Sequence, residues 1–233
     1  MTKKILCCGC SFTKRPKSQI NISYCDYLGE DGTLAINIGK GGSGIGISLQ
    51  QVEKYLQNPC DDLTHFVFQV PSPARQPITI VDEFSDEYLN RFRCVTSNLP
   101  DRGQFANDEG IWTCLLNGTD IKKIETIFFN KQTYYDLSIK LIDAITEKLL
   151  DRYPELNVVL LRYEKTNCPL ILEFSKVFYK KTLKSYCKEK GFQYVYQKQF
   201  ETEFFRKKGY TYDNTHPNKT GAKIIANKLK EYL

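Results

Sequence analysis

The alternation of short apolar runs with helically periodic segments limits this chain to very few architectures. Residues 3–9 (KKILCCG), 33–38 (TLAINI), 64–70 (THFVFQV), 157–163 (NVVLLRY) and 192–197 (FQYVYQ) are the apolar runs. Each is too short for a helix, and most are near-continuously apolar, as strands buried on both faces are. Helical periodicity fills the intervals. It is brief over 21–29, around Tyr24, Tyr27 and Leu28, and runs from Ser43 to Gln57 on Ile47, Val52, Tyr55 and Leu56. It returns over 131–153 on Tyr135, Ile139, Ile142, Ile145 and Leu149, where Pro154 closes it, and over 171–190, with Gly191 at the boundary. A last helix is expected from about Pro217, with Ala222, Ile225, Leu229 and Leu233 as its buried stripe. The order β-α-β-α-β-(insertion)-α-β-α-β-loop-α predicts an α/β chain: a parallel five-stranded sheet between two helix layers, in one domain over 1–233. Residues 72–130 hold no period for long and carry Trp112, the single tryptophan, so they read as an insertion or lid after the third strand.

Composition narrows the function classes. Hydrophobic residues at 41% against 26% charged residues support a sizeable core. The nine cysteines are odd in number, no signal-peptide pattern opens the chain, and no run reaches the length of a membrane span. They are therefore read as reduced thiols of a cytoplasmic protein with no membrane partner. Cys7 and Cys8, adjacent on a strand, should face opposite sides of the sheet, and no second C-x₂-C pair joins the spacing of Cys7 and Cys10 to make a zinc site, so no metal is expected. The net charge of +6 comes from scattered lysines and arginines, and no nucleic-acid-binding motif accompanies it, so a solvated basic face is the expectation rather than a nucleic-acid partner.

In an open parallel sheet, ligands bind where the strands end. Four unusual segments fall there: Gly9-Cys10-Ser11-Phe12-Thr13, the stretch from Asn37 to Ser43, Gln69 to Arg75, and Asp213 to Asn218. A serine hydroxyl needs a neighbouring base to act as a nucleophile. Of the two histidines, His65 stands at the start of the third strand and belongs at the opposite, amino-end edge, which leaves His216. Asp213, three residues earlier, can bond the far ring nitrogen and fix its tautomer. The plainer alternatives are a strand-end serine bonded to turn backbone for Ser11, a helix cap or Asx-turn for Asp213, and a surface histidine for His216.

These segments resemble the SGNH/GDSL hydrolases. G-C-S-F-T resembles their first block, with Cys10 where the family has Asp. Asn37, Gly39 and Gly42 match the N-x-G-x-x-G block, and Asp213, His216, Pro217, Asn218 and Gly221 match the D-x-x-H-P-N block with its following glycine. The resemblance implies a three-layer, flavodoxin-like α/β/α fold, a catalytic Ser11–His216–Asp213 triad, an oxyanion hole built on the N–H groups of Ser11 and Gly42, and no cofactor. Gly42 alternatively only supplies a tight turn or a phosphate-cradling loop. The family's third block, G-x-N-D, is replaced by Q-V-P-S-P-A-R, so either Gln69 or Ser72 is the candidate for the remaining donor. Arg75 is a candidate substrate-binding cation, with a salt bridge to Asp82 or Glu83 as the equal alternative. The implied activity is hydrolysis of an acyl ester, an O-acetyl group by preference, on a small molecule or a carbohydrate. An acyltransferase with the same triad and a non-catalytic binding module are the alternatives.

Overall fold

The computed structural model describes residues 3–14, 22–30, 32–41, 43–73, 77–79, 105–106, 111–113, 131–162, 175–196, 202–212 and 216–233. Gly42, Arg75, Asp213 and most of 72–130 lie outside the described residues.

The strands are β1 (Lys4–Cys8), β2 (Leu34–Asn37), β3 (His65–Gln69), β4 (Pro77–Thr79), β5 (Phe105–Ala106), β6 (Ile111–Thr113), β7 (Asn157–Leu161) and β8 (Gln193–Val195). The α-helices are α1 (Tyr24–Leu28), α2 (Ile45–Leu56), α3 (Lys131–Arg152), α4 (Lys184–Lys190), α5 (Thr202–Lys207) and α6 (Lys219–Lys230). The main sheet has the order β2-β1-β3-β7-β8 and every pairing in it is parallel. This is the five-stranded, flavodoxin-like sheet expected of the sequence.

Alternation along the strands divides the core in two. Leu6, Cys8, Phe66, Phe68, Val158 and Leu160 point to one face and pack with residues of α2, α3 and the helical run before β8. Ile5, Cys7, Val67, Val159 and Leu161 point to the other, against α1 and α6. Cys7 and Cys8 thus enter separate clusters, as adjacent strand residues must. Burial holds the Cys8 thiol up at about 12, and a hydrogen bond with Cys25, together with burial, raises that of Cys7. Both behave as small core hydrophobes.

The structure adds detail to some expectations and departs from others. Residues 72–130 contain a second sheet, three antiparallel strands in the order β4-β6-β5. These strands are two or three residues long, too short to print a period on the sequence. The stretch after β8, read as a loop, includes α5. The helix expected from about Pro217 begins at Lys219, because Pro217 is bridged to Thr211 and Asn218 is the N-cap. In the segment read as a helix over 171–190, the described run begins at 175 and passes through a π-helical stretch, Phe178–Leu183, before α4. Gly191 closes α4 at φ +73°, a left-handed conformation suited to glycine.

Candidate active site

The turn after β1 is pinned from every side. Gly9 has φ +149°, and a Cβ there would lie 2.5 Å from Thr13 Oγ1 and 2.8 Å from the Gln69 carbonyl oxygen. Only glycine lets the chain leave β1 so close to β3. The Thr13 and Lys14 N–H groups both donate to the Cys10 carbonyl at 3.0 Å, which closes the turn that presents Ser11. Asn37 Nδ2 and Ser23 Oγ donate to the Thr13 carbonyl at 2.6 and 2.7 Å. Lys40 N and Ser43 Oγ donate to the Gly9 carbonyl at 3.0 and 3.2 Å. The glycine of the second block has an equally local reason. A Cβ on Gly39 would lie 2.8 Å from that of Thr13, so the β2 exit could not dock on the β1 exit.

Gln69 completes the frame. It is 1% exposed, and its Oε1 accepts both the Cys10 N–H and the Cys10 thiol at 3.0 Å. The N–H donor fixes the amide's orientation. Its Nε2 accordingly donates to the Val70 carbonyl at 3.2 Å. Ser72 Oγ lies 2.7 Å from Ser175 Oγ. Among the described residues, no acceptor takes the Ser11 N–H.

His216 reaches Ser11 from the other end of the chain. Its Nε2 lies 2.8 Å from Ser11 Oγ, across 205 positions of sequence. Three local features hold it there. The Thr211–Pro217 bridge and the Tyr212 N–H, which donates to the His216 carbonyl at 3.1 Å, close the turn. Asn218 accepts the Gly221 N–H through its side-chain oxygen at 3.1 Å and donates to the Gly209 carbonyl at 2.7 Å. The imidazole lies between two rings, Tyr212 stacked at 5.6 Å and Phe12 tilted at 5.1 Å. Gly221 lets α6 start this close: a Cβ there would meet the Tyr210 carbonyl at 2.5 Å and the Phe205 ring at 2.9 Å.

The structure therefore brings Ser11, His216, Gln69 and the Gly39–Gly41 stretch to one sheet edge. His65 is the first residue of β3, at the amino-end edge. Ser72 also leaves β3 at the carboxyl edge, tied to Ser175. Residues that the sequence reading did not single out also belong here. Lys14 and Tyr212 line the cleft beside Ser11 and His216. Arg162, just after β7, is not on the lining of that cleft; it is 1% exposed, with its guanidinium 4.0 Å from the centroid of Tyr196. Among the described residues, no group of three His, Cys, Asp or Glu side chains is placed to hold a metal ion. None of the described helices is long and apolar enough to cross a membrane.

No protein-family model and no curated protein matches the chain. Solved structures do match along nearly all of it. A psychrotrophic esterase from Pseudoalteromonas sp., solved inhibited by monoethylphosphonate, has a TM-score of 0.57 at 12% identity, with 99% of this chain and 96% of that one covered. An acetylxylan esterase from Geobacillus stearothermophilus, in a catalytic-mutant form, gives 0.54 at 14%, covering 99% and 93%. A member of the lipolytic G-D-S-L family from Veillonella parvula gives 0.54 at 15%, covering 99% and 97%. At such identities the likeness establishes the architecture: the chain has the α/β/α fold of the GDSL, or SGNH, hydrolases.

Proposed function

We propose that the protein is an SGNH-type serine hydrolase that cleaves an acyl ester, with Ser11 as nucleophile and His216 as its base. The observation that carries this reading is the 2.8 Å approach of His216 Nε2 to Ser11 Oγ, at the sheet edge where this fold binds ligands. Ser11 Oγ attacks the ester carbonyl while its proton passes to His216 Nε2. The carbonyl oxygen takes the negative charge, facing the Ser11 N–H and, in this reading, that of Gly42. His216 then protonates the departing alcohol, leaving an acyl-serine. Water, deprotonated by the same imidazole, attacks that carbonyl and releases the acid, returning the proton to Ser11. Asp213 is assigned the outer position of the triad, bonding the far imidazole nitrogen and stabilising the imidazolium.

An O-acetyl group on a carbohydrate is the substrate we favour, supported by the acetylxylan esterase among the structural neighbours. The engaged amide of Gln69 and the Ser72–Ser175 contact support a framing role for the third block. Residues 72–130, within a single domain, are assigned to the substrate-selecting wall, and Arg75 to an acidic group of the natural substrate. Arg75→Ala should then slow turnover of that substrate more than that of a small aryl acetate.

Steady-state hydrolysis of 4-nitrophenyl acetate tests the proposal. Ser11→Ala and His216→Ala should each lower kcat by at least about 10³-fold, and the double variant should be little slower than either, because triad members act as one unit. Effects on log kcat that simply add, in folded variants, would contradict the shared mechanism.

A further inference from the structure

The cleft beside Ser11 contains a cation that the ester chemistry above does not use. Lys14 stands three residues after Ser11 on the same turn, its backbone fixed by the Lys14 N–H bond to the Cys10 carbonyl. Its side chain crosses Gly41. A Cβ built on Gly41 would lie 3.4 Å from Lys14 Cδ, 3.9 Å from Lys14 Nζ and 4.0 Å from Ser11 Cβ. The ammonium is thus delivered to the nucleophile's side of the cleft, with Lys14 and Ser11 both within ordinary contact range of the same point at Gly41. Among the described residues, no ion pair or hydrogen bond holds that ammonium. Its neighbours on the cleft wall include Phe12, Ile22 and Pro217, which bring no counter-charge.

We propose that Lys14 is a specificity residue that binds an acidic group of the substrate, so that the preferred esters are anionic. The inference rests on the serine-hydrolase reading of the same site. A carboxylate, phosphate or sulfate a few bonds from the scissile carbonyl would meet Nζ while the carbonyl carbon stands at Ser11 Oγ. A lysine is a point charge on a flexible stem, so it accepts any of these anions without demanding one planar geometry. Tyr212, 43% exposed and stacked on His216, lies on the same cleft and offers a ring edge or face to the body of the substrate.

Two matched pairs of esters place the charge on either side of the bond. Mono-4-nitrophenyl glutarate and its methyl ester carry it on, or remove it from, the acyl part. 3-Acetoxybenzoate and its methyl ester do the same for the alcohol part. In wild type at about 0.05 M salt, one pair should show a kcat/KM preference for the acid. Lys14→Gln should lower that acid-to-neutral ratio by about three- to ten-fold, the range of one partly screened ion pair. Lys14→Arg should retain it. Salt at about 0.5 M should shrink the wild-type ratio but not that of Lys14→Gln. An unchanged ratio for both pairs in Lys14→Gln overturns the proposal.

Binding without turnover separates this from the hydrolase reading. In the Ser11→Ala protein, calorimetry compares glutaranilic acid and 3-acetamidobenzoate, amide analogues of the two esters, with their neutral methyl esters. The acid should bind more tightly, and Lys14→Gln on that background should remove the difference. Lys14-dependent binding with no ester turnover would sink the hydrolase and leave the anion site standing. Ser11-dependent turnover with no effect of Lys14 in either assay would do the reverse.

Discussion

Replacing Gln69 by Leu distinguishes a frame residue from an oxyanion donor. The two side chains are close in volume, so packing loss stays below about 1.5 kcal/mol. The larger effect is at Cys10. Its N–H and thiol both end on Gln69 Oε1, and the site is buried, with Gln69 1% and Cys10 1% exposed. Leaving that N–H unpaired costs about 1–3 kcal/mol. The Val70 carbonyl loses Gln69 Nε2 but keeps the Tyr179 hydroxyl at 2.9 Å, so it adds little. A net loss of about 2 kcal/mol corresponds to a fall in Tm of about 4–8 °C for a chain of this size. Because Cys10 adjoins Ser11, kcat on 4-nitrophenyl acetate should fall as well, by about ten-fold, the activation equivalent of roughly 1.4 kcal/mol. Scanning calorimetry and steady-state kinetics on one preparation supply both numbers. A lost oxyanion donor predicts a different pair: kcat lower by about 10²–10³ with Tm unmoved. That pair would refute the assignment of Gln69 to the frame.

Gly221→Ala should destabilise, although alanine ordinarily improves a helix by about 1 kcal/mol over glycine. The added methyl would press on the Tyr210 carbonyl at 2.5 Å, and that oxygen is tied to the Asn218 N–H at 2.8 Å, so overpacking of about 1–3 kcal/mol should outweigh the propensity gain. Urea denaturation showing a more stable variant would contradict this. His65 supplies a pH dependence. Burial, first, and then nearby Lys3 lower its pKa below 6.5, partly offset by a bond to the Leu233 carbonyl. The folded state therefore holds the neutral ring, and the unfolded chain binds the proton more readily. Stability should be level above about pH 6.5 and fall as pH drops through the folded pKa, by at most about 1.4 kcal/mol per pH unit from this group. His65→Gln should flatten that part of the curve, and equal slopes in wild type and variant would refute it.

The parts of the fold legible in the sequence were those that a single strand or helix face determines. β3 and β7 are covered on both faces, so THFVFQV and NVVLLRY stand out as apolar runs, and α6 carries its stripe at Ala222, Ile225 and Leu229. β4, β5 and β6 did not, since two or three residues cannot display an alternation. At the site, the approach of His216 to Ser11 followed from topology: both lie where strands end. The use of Gln69 could not be read that way. Its amide is committed by contacts with Cys10, 59 positions away, and with Val70, and either partner alone leaves its role ambiguous. The role of Lys14 is illegible in the sequence for a related reason. Nothing in G-C-S-F-T-K shows that its stem will cross Gly41, because that contact depends on how the β1 and β2 exits dock.

Covalent labelling reads out whether Ser11 is an activated nucleophile. Folded wild type is incubated with a fluorophosphonate and digested, and the adduct is located by mass spectrometry, with Ser11→Ala and heat-denatured wild type alongside. Folded wild type should carry one phosphonyl adduct, on Ser11, and neither control should carry any. Folded wild type that stays unlabelled, or labelling that persists in Ser11→Ala, would contradict it.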